Sequence, residues 1–132
     1  SAYILRKVGF SALELSTIGY APLELRQAGF SAKELKVVGF TAGDLKSADF
    51  KAHDLEDVGF SCAELREGGY PASEMKLVSF EAIEFKAAGY SAAEAKEIGF
   101  TAKELKVGGY ELGDLKRLGY QQWELKQAGF PV

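Results

Sequence analysis

The chain has 132 residues, enough for one ordinary domain. Its 47% hydrophobic and 27% charged residues are typical of a folded protein and argue against disorder. No apolar run approaches the roughly 20 residues that cross a bilayer, so we expect no membrane insertion. A net charge of −3 gives no electrostatic reason to bind nucleic acid.

A ten-residue phrase runs in phase through residues 1–130, thirteen times, and two residues follow it. We call its ten positions columns. Column ten is always aromatic, column nine is mostly Gly, column five Leu, column four acidic, column six basic and column two Ala. This internal period predicts a single repeat domain over residues 1–132. In columns four, five, six and nine the exceptions are Ile4 in column four; Met75, Phe85 and Ala95 in column five; Ser16 and Glu56 in column six; and Asp49 and Ser79 in column nine.

The columns match the signals that begin and end a short α-helix. Ser or Thr in column one is a good N-cap, and the acidic residue three places later completes a capping box. The preceding aromatic residue stands at hydrophobic-staple spacing from the Leu of column five. Gly in column nine falls at C′, where a left-handed backbone ends the helix; Asp49 suits that conformation better than Ser79. We therefore predict one helix of roughly seven residues per repeat.

An apolar residue at every fifth position also fits a right-handed β-helix of the pentapeptide type, which is the alternative fold. In that fold the residue two places earlier also points inward, which would bury Lys33, His53 and Lys103. An unpaired buried charge costs several kcal/mol. The β-helix also leaves the near-constant Ala of column two unexplained, so the helical interpretation is preferred.

A helix this short depends on its neighbours, because isolated helices need roughly 12–15 residues to be even marginally stable. Every unit carries the same signals, so we expect each to dock on the next by the same step. The predicted fold is all-α, a solenoid of about thirteen short helices, one per repeat. Its core would hold the Leu, Ala and aromatic columns, and columns three and seven would face solvent.

The charges are as ordered as the apolar columns. Acidic residues in the first turn and basic residues towards the last complement the helix dipole, and along a stack they should form two stripes. One interpretation is solvated caps with surface ion pairs worth about 0–1 kcal/mol each. The other is that the stripes align one solenoid against another.

The sequence offers little for catalysis, which needs unlike groups converging in a pocket. His53 and Cys62 are the only residues of their kinds, whereas a zinc site needs three or four such ligands. Cys62 stands in the place of a core Ala, and no glycine-rich phosphate motif occurs. We expect no enzyme activity, no metal, no cofactor and no small-molecule substrate.

Four apolar side chains in column three are the candidate contacts with a protein partner: Leu13, Leu23, Ile83 and Trp123. Leu13 and Leu23 occupy neighbouring repeats and could form one patch. If they do, replacing both by Lys should abolish partner binding without loss of helicity. Near the end of the chain Gln121 and Gln122 are polar, as in terminal repeats that face water.

The segments SAKELKVVGF (31–40) and TAKELKVGGY (101–110) resemble decapeptide arrays, notably the central repeat region of the DotG/IcmE component of Dot/Icm type IVB secretion systems. The resemblance covers residues 1–130. It implies an extended spacer in a bacterial envelope machine, located at the cell envelope or in the periplasm, with no catalytic residues to carry over.

From these patterns we predict a non-catalytic scaffold or spacer that mediates protein–protein assembly. One alternative is a repeat module whose groove binds a peptide or protein. Another is a subunit that self-associates into a filament, because a solenoid whose ends resemble its middle can stack end to end. The polar Gln121 and Gln122 argue against the last of these.

Overall fold

The computed structural model describes residues 1–131, and Val132 lies outside them. Those residues form short helices joined by turns and contain no β-strand, so the predicted all-α repeat fold is confirmed and the β-helix is wrong. The helices are α1 Ala2–Lys7, α2 Ala12–Thr17, α3 Pro22–Gln27, α4 Ala32–Val38, α5 Ala42–Ser47, α6 Ala52–Asp57, α7 Cys62–Glu67, a 3₁₀ turn Ala72–Glu74, α8 Ala82–Ala87, α9 Ala92–Ile98, α10 Ala102–Val107, α11 Leu112–Arg117 and α12 Gln122–Gln127.

The predicted caps are present at both ends of the repeat. In α4 the Ser31 hydroxyl accepts the Glu34 N–H at 3.1 Å, and the Glu34 carboxylate accepts the Ser31 N–H at 3.0 Å. At the other end Gly39 has φ of +113°. The Phe40 N–H then donates to the Leu35 carbonyl at 3.2 Å, which closes a Schellman motif. The residues that form both caps therefore lie within a single ten-residue repeat.

The eighth repeat departs from the prediction, because it forms a single 3₁₀ turn in place of an α-helix. Pro71 has neither a hydroxyl to accept the Glu74 N–H nor a backbone N–H to donate to the Glu74 carboxylate, and the Glu74 N–H donates to the Pro71 carbonyl at 2.9 Å. Asp49, with φ of 67°, is the only non-glycine residue with positive φ in the described part of the chain. Ser79 therefore does not supply the left-handed residue that closes the other repeats.

The helices stack with a period of two repeats. The chain divides into two compact units, Ser1–Gly69 and the residues from Tyr70 onward, which we describe separately. In the first unit α1, α3, α5 and α7 form one stack, and α2 and α4 form a second. In the second unit the 3₁₀ turn, α9 and α11 form one stack, and α8, α10 and α12 the other. A single solenoid over residues 1–132 stays a prediction.

This period corrects the expectation that each repeat docks mainly on the next. Contacts between successive repeats exist, as between α2 and α3, but the regular step is from one repeat to the second one along. Two repeats thus make one turn, and equivalent residues of successive repeats lie in different stacks.

Columns two and five form most of the core, as predicted. The aromatic column, predicted to join them, does so only in part: Phe10 is exposed, seven of its residues are half-buried, and the buried ones are Phe30, Phe60, Tyr70, Tyr90 and Tyr110. The column-five Leu residues from Leu15 to Leu65 are fully buried, and Met75, Phe85 and Ala95 take the same place where Leu is missing. Phe85 packs edge-on against Phe100, with ring centroids 5.3 Å apart. No polar or charged residue is buried among residues 1–131. The stacks are therefore stabilised by the burial of apolar side chains and by hydrogen bonds to carbonyls at the helix C-termini.

Candidate interaction surfaces

The basic residues of column six clamp the repeat two places further on. Lys36 Nζ lies 4.9 Å from the centre of the Phe60 ring and donates to the Val58 carbonyl at 3.2 Å. The cation thus satisfies an unpaired carbonyl at a helix C-terminus and sits over an aromatic face. The same placement recurs at Arg6 over Phe30, Arg26 over Phe50, Lys96 over Tyr120 and Lys106 over Phe130.

The acidic column acts within its own repeat. Glu14 accepts the Ser11 N–H at 3.0 Å, and this hydrogen bond lowers the pKa of the Glu14 carboxyl. Where column one lacks a hydroxyl the carboxylate still binds the N-cap amide, as Glu24 does with Ala21 at 2.9 Å. Columns four and six therefore have separate structural roles at these positions, the first as a helix cap and the second as an inter-repeat clamp.

Tyrosines in column ten extend the same step with a hydrogen-bond ladder. The Tyr90 hydroxyl donates to the Tyr70 carbonyl at 2.7 Å, and the Tyr110 hydroxyl donates to the Tyr90 carbonyl at 2.8 Å. Tyr120 donates in the same way to the Phe100 carbonyl at 3.1 Å. Each of these bonds spans one full turn of the second unit.

Replacing Tyr110 by Phe is expected to lower the free energy of unfolding by about 1–3 kcal/mol, because it removes the partner of a buried carbonyl. Urea denaturation measures the change. Tyr20→Phe is the matched control, since the Tyr20 hydroxyl has no hydrogen-bond partner in residues 1–131, and we expect a change within about 0.5 kcal/mol. Equal losses in the two variants would contradict a role for the ladder.

The raised pKa of Tyr120 leads us to expect that the folded chain loses stability at alkaline pH. Burial raises the pKa of Tyr120 above its ordinary value near 10.0, and the Glu124 and Glu104 carboxylates add to the rise. Because the pKa is higher in the folded state, the stabilisation is fully present below the unfolded pKa and is lost as pH rises through the folded one. The urea midpoint should fall from pH 9 to pH 12, and less steeply in Tyr120→Phe, which retains the other titrating groups. Parallel curves for parent and variant would contradict this.

Glycine in column eight lets two repeats approach closely. A Cβ on Gly108 would lie 2.7 Å from the Ala82 Cβ and 2.9 Å from the Ala82 carbonyl carbon. A Cβ on Gly68 would lie 2.8 Å from the Gly43 nitrogen. The paired glycines in "EGGY" and "VGGY" are the sequence signal for this contact, and our sequence analysis missed it.

A shallow groove lies beside this close contact between repeats, and residues of columns three and seven contribute to its lining. In the second unit it measures about 410 Å³, and Phe80, Ile83, Phe100 and Val107 supply its apolar lining. An equivalent groove of about 500 Å³ in the first unit has Gly43 and Glu67 in the places of Ile83 and Val107. The variable columns therefore give each groove its own chemistry.

Of the four predicted contact residues, Leu13 and Leu23 lie in the first unit, and Ile83 and Trp123 lie in the second. Leu13, Ile83 and Trp123 are exposed, and Leu23 is half-buried. Leu13 lies on α2 and Leu23 on α3, which belong to different stacks. Of the four, Ile83 lines the groove of the second unit. Partner contact at these residues stays a prediction.

The rare side chains occupy ordinary positions. His53 is half-exposed, with Nε2 3.4 Å from an Asp54 carboxylate oxygen, and Cys62 is buried in the Ala column. No group of three or more His, Cys, Asp or Glu side chains in the described residues is placed to hold a metal ion. None of the helices in that part of the chain is long and apolar enough to cross a bilayer.

The fold defines a class: an all-α repeat protein in which nearly every decapeptide forms one short capped helix, and basic residues of column six contact the repeat two places further on. The family model described as "Decapeptide repeat region" matches residues 1–66 and 59–132, so the chain belongs to that family. No curated protein and no solved structure matches the chain.

Proposed function

We propose that this chain is a non-catalytic structural scaffold or spacer that holds protein partners at a set separation. The observation that carries the proposal is the repeated use of one docking step, in which Lys36 on Phe60 and Lys106 on Phe130 make the same contact. The most variable columns, three and seven, lie largely at the surface. In such an arrangement the stacked core sets the length of the repeat array, and the surface side chains determine which partner binds.

A spacer should tolerate the removal of one whole turn. Deleting residues 21–40 joins Tyr20 to Thr41 in phase and keeps every later repeat in its own stack. We expect circular dichroism to show unchanged helicity per residue and one cooperative melting transition. Small-angle X-ray scattering should show a shorter particle. Deleting residues 21–35 is the control, because it breaks the phase and should unfold the first unit. Equal disruption by both deletions would overturn the proposal.

The wider setting that we propose is a bacterial secretion or envelope complex. It is supported by the resemblance of SAKELKVVGF and TAKELKVGGY to the DotG/IcmE repeat region. Fractionation of the cells that make the protein tests this setting. Recovery with the envelope would support it, and recovery entirely in the cytosol would overturn it.

A second candidate function is a module that binds an extended peptide, and the groove of the second unit favours it. Ile83 and Val107 give that groove an apolar floor at exposed positions, 57% and 75% accessible. In a binding module, Ile83→Lys with Val107→Lys should abolish recognition of the partner, whereas Val37→Lys should leave it intact. A plain spacer should tolerate all three changes.

A further inference from the structure

One combination of surface residues occurs once in each unit. Val stands in column seven only at Val37 and Val107, and Lys stands in column three only at Lys33 and Lys103. In both repeats the Lys precedes the Val at i, i+4 spacing, so the two side chains lie on one face of α4 or of α10. The most variable columns thus carry the same pair of residues in one repeat of the first unit and in one repeat of the second.

A branched aliphatic side chain faces each of these repeats from the repeat two places earlier. In the second unit Ile83 lines one groove together with Lys103 and Val107. In the first unit Leu13 stands in the same column as Ile83 and at the same spacing from Val37. Helix α4 stacks on α2 as α10 stacks on α8, so Leu13 faces Val37 in the same way. We call Leu13 with Val37, and Ile83 with Val107, the two aliphatic pairs.

Both aliphatic pairs are exposed to a similar degree. Leu13 and Val37 are 60% and 80% accessible, close to the 57% and 75% of Ile83 and Val107. Each column-three residue faces a repeat that the structure contains, so no missing neighbour accounts for its exposure. Each pair therefore offers apolar surface that a bound aliphatic side chain would bury.

The open charge beside each aliphatic pair is a lysine. Lys33 and Lys103 are exposed, and neither ammonium group has a partner among residues 1–131. The adjacent carboxylates of Glu34 and Glu104 are already engaged, because each accepts the N-cap amide of its own helix at 3.0 Å. The group that complements each site electrostatically is therefore a carboxylate.

We propose that each unit carries one such site and that both sites bind the same kind of partner: an extended acidic segment in which an aliphatic side chain lies beside a carboxylate. The aliphatic side chain packs against the aliphatic pair, and the carboxylate pairs with the lysine of column three. The inference rests on the proposed scaffold function and deepens it, because it gives one chain two equivalent sites and states the chemistry of the partner.

One charged residue distinguishes the second site. Glu81 lines the groove of the second unit, whereas the corresponding position of column one in the first unit is Ser11. A carboxylate at this place repels an acidic partner, so the second site should be the weaker of the two. Glu81→Ser should therefore strengthen binding at the second site several-fold and leave the first site unchanged.

A titration followed by methyl NMR tests the proposal. The probe is the peptide acetyl-Glu-Leu-Glu-Leu-Glu amide, and acetyl-Lys-Leu-Lys-Leu-Lys amide is its charge-reversed control. The acidic peptide should shift the methyl signals of both aliphatic pairs in a saturable way, and the basic peptide should not. Lys33→Glu should weaken binding at the first site about tenfold, since it turns an attraction into a repulsion of similar size. Lys103→Glu should do the same at the second site alone.

Removal of either aliphatic pair should abolish one site and spare the other. Leu13→Gln with Val37→Gln removes the first pair, and only the second unit should then respond to the acidic peptide. Ile83→Gln with Val107→Gln should have the opposite result. Leu77→Gln is the matched control, because Leu77 is 76% exposed in column seven but has no aliphatic residue in column three two repeats earlier. It should bind like the parent, and all of these variants should melt like the parent.

The absence of a saturable shift at either aliphatic pair would overturn the proposal, and so would equal binding of the acidic and basic peptides. Shifts confined to Ile83 and Val107 would also overturn it, because they would indicate a module with a single groove. The deletion of residues 21–40 tests the scaffold separately, through helicity and particle length, so failure of one proposal does not imply failure of the other.

Discussion

Replacing Leu65 by Ala is expected to lower the free energy of unfolding by about 2–5 kcal/mol, the range for a Leu removed from a packed core. Leu65 is fully buried in α7, and α7 stacks on α5 and also contacts α6. A cavity at Leu65 would therefore lie in a helix that packs against two others. In a stack that is stabilised by nearest neighbours, a cavity in one repeat weakens both of its interfaces.

Urea denaturation of parent and variant measures this effect, and Leu77→Ala is the control. Leu77 is 76% exposed in column seven. Its loss should change the free energy of unfolding by no more than about 0.5 kcal/mol. If Leu65→Ala proved as mild as Leu77→Ala, column five would not be the core.

Replacing Gly108 by Ala is expected to destabilise the chain by about 1–3 kcal/mol through overpacking. The expected sign is informative, because Gly108 has φ of −71°, a conformation that any residue adopts. Gly→Ala at such a position ordinarily stabilises by about 0.4–1 kcal/mol. Here the new methyl would meet Ala82, whose backbone cannot yield as a flexible side chain would.

Gly113→Ala is the matched control for Gly108→Ala. Gly113 lies inside α11, where a new Cβ would meet only the end of the Arg117 side chain at 3.6 Å. Because Ala has the higher helix propensity, this variant should be more stable than the parent by about 0.5–1 kcal/mol. Thermal melts at low protein concentration compare the two. A stabilised Gly108→Ala variant would show that the turns are not packed through column eight.

Sequence patterns predict the inside of each repeat well, since its signals are local. Ser31 with Glu34, and Gly39 after α4, act within ten residues and need no knowledge of the neighbours. The eighth repeat differs because it lacks both signals at once: Pro71 cannot form the N-terminal capping box, and Ser79 does not supply the left-handed residue after the helix. The sequence had flagged Ser79 as a poor replacement, but only the structure shows that the helix itself shortens to a 3₁₀ turn.

The stacking step was harder to predict, because a period of ten fits docking on the next repeat as well as on the second. Variation superimposed on the repeat carries the missing information. Tyr70, Tyr90 and Tyr110 recur at the period of the ladder, and Gly68 and Gly108 are separated in sequence by twice that period. The role of column six was hidden for the same reason: its aromatic partner lies more than two repeats along the chain.

The candidate surface was predicted only in part. Column seven is fully exposed, as expected, and column three is exposed except at half-buried Leu23, Gly43 and His53. Val107 escaped notice because an isolated Val in a variable column carries no signal. Its place in the candidate surface becomes visible only in the structure, where Val107 and Ile83 line the same groove.

The twenty-residue step is the central claim, and spin-label distances test it most directly. With Cys62 replaced by Ala, labels at exposed Thr17→Cys and Val37→Cys lie on stacked helices α2 and α4. Labels at Gln27→Cys and Val37→Cys lie in different stacks. Stacked helices are about 8–10 Å apart, so the first pair should show strong dipolar broadening and the second pair less. Greater broadening from the pair at 27 and 37 would mean that each repeat docks on the next, and would contradict the account.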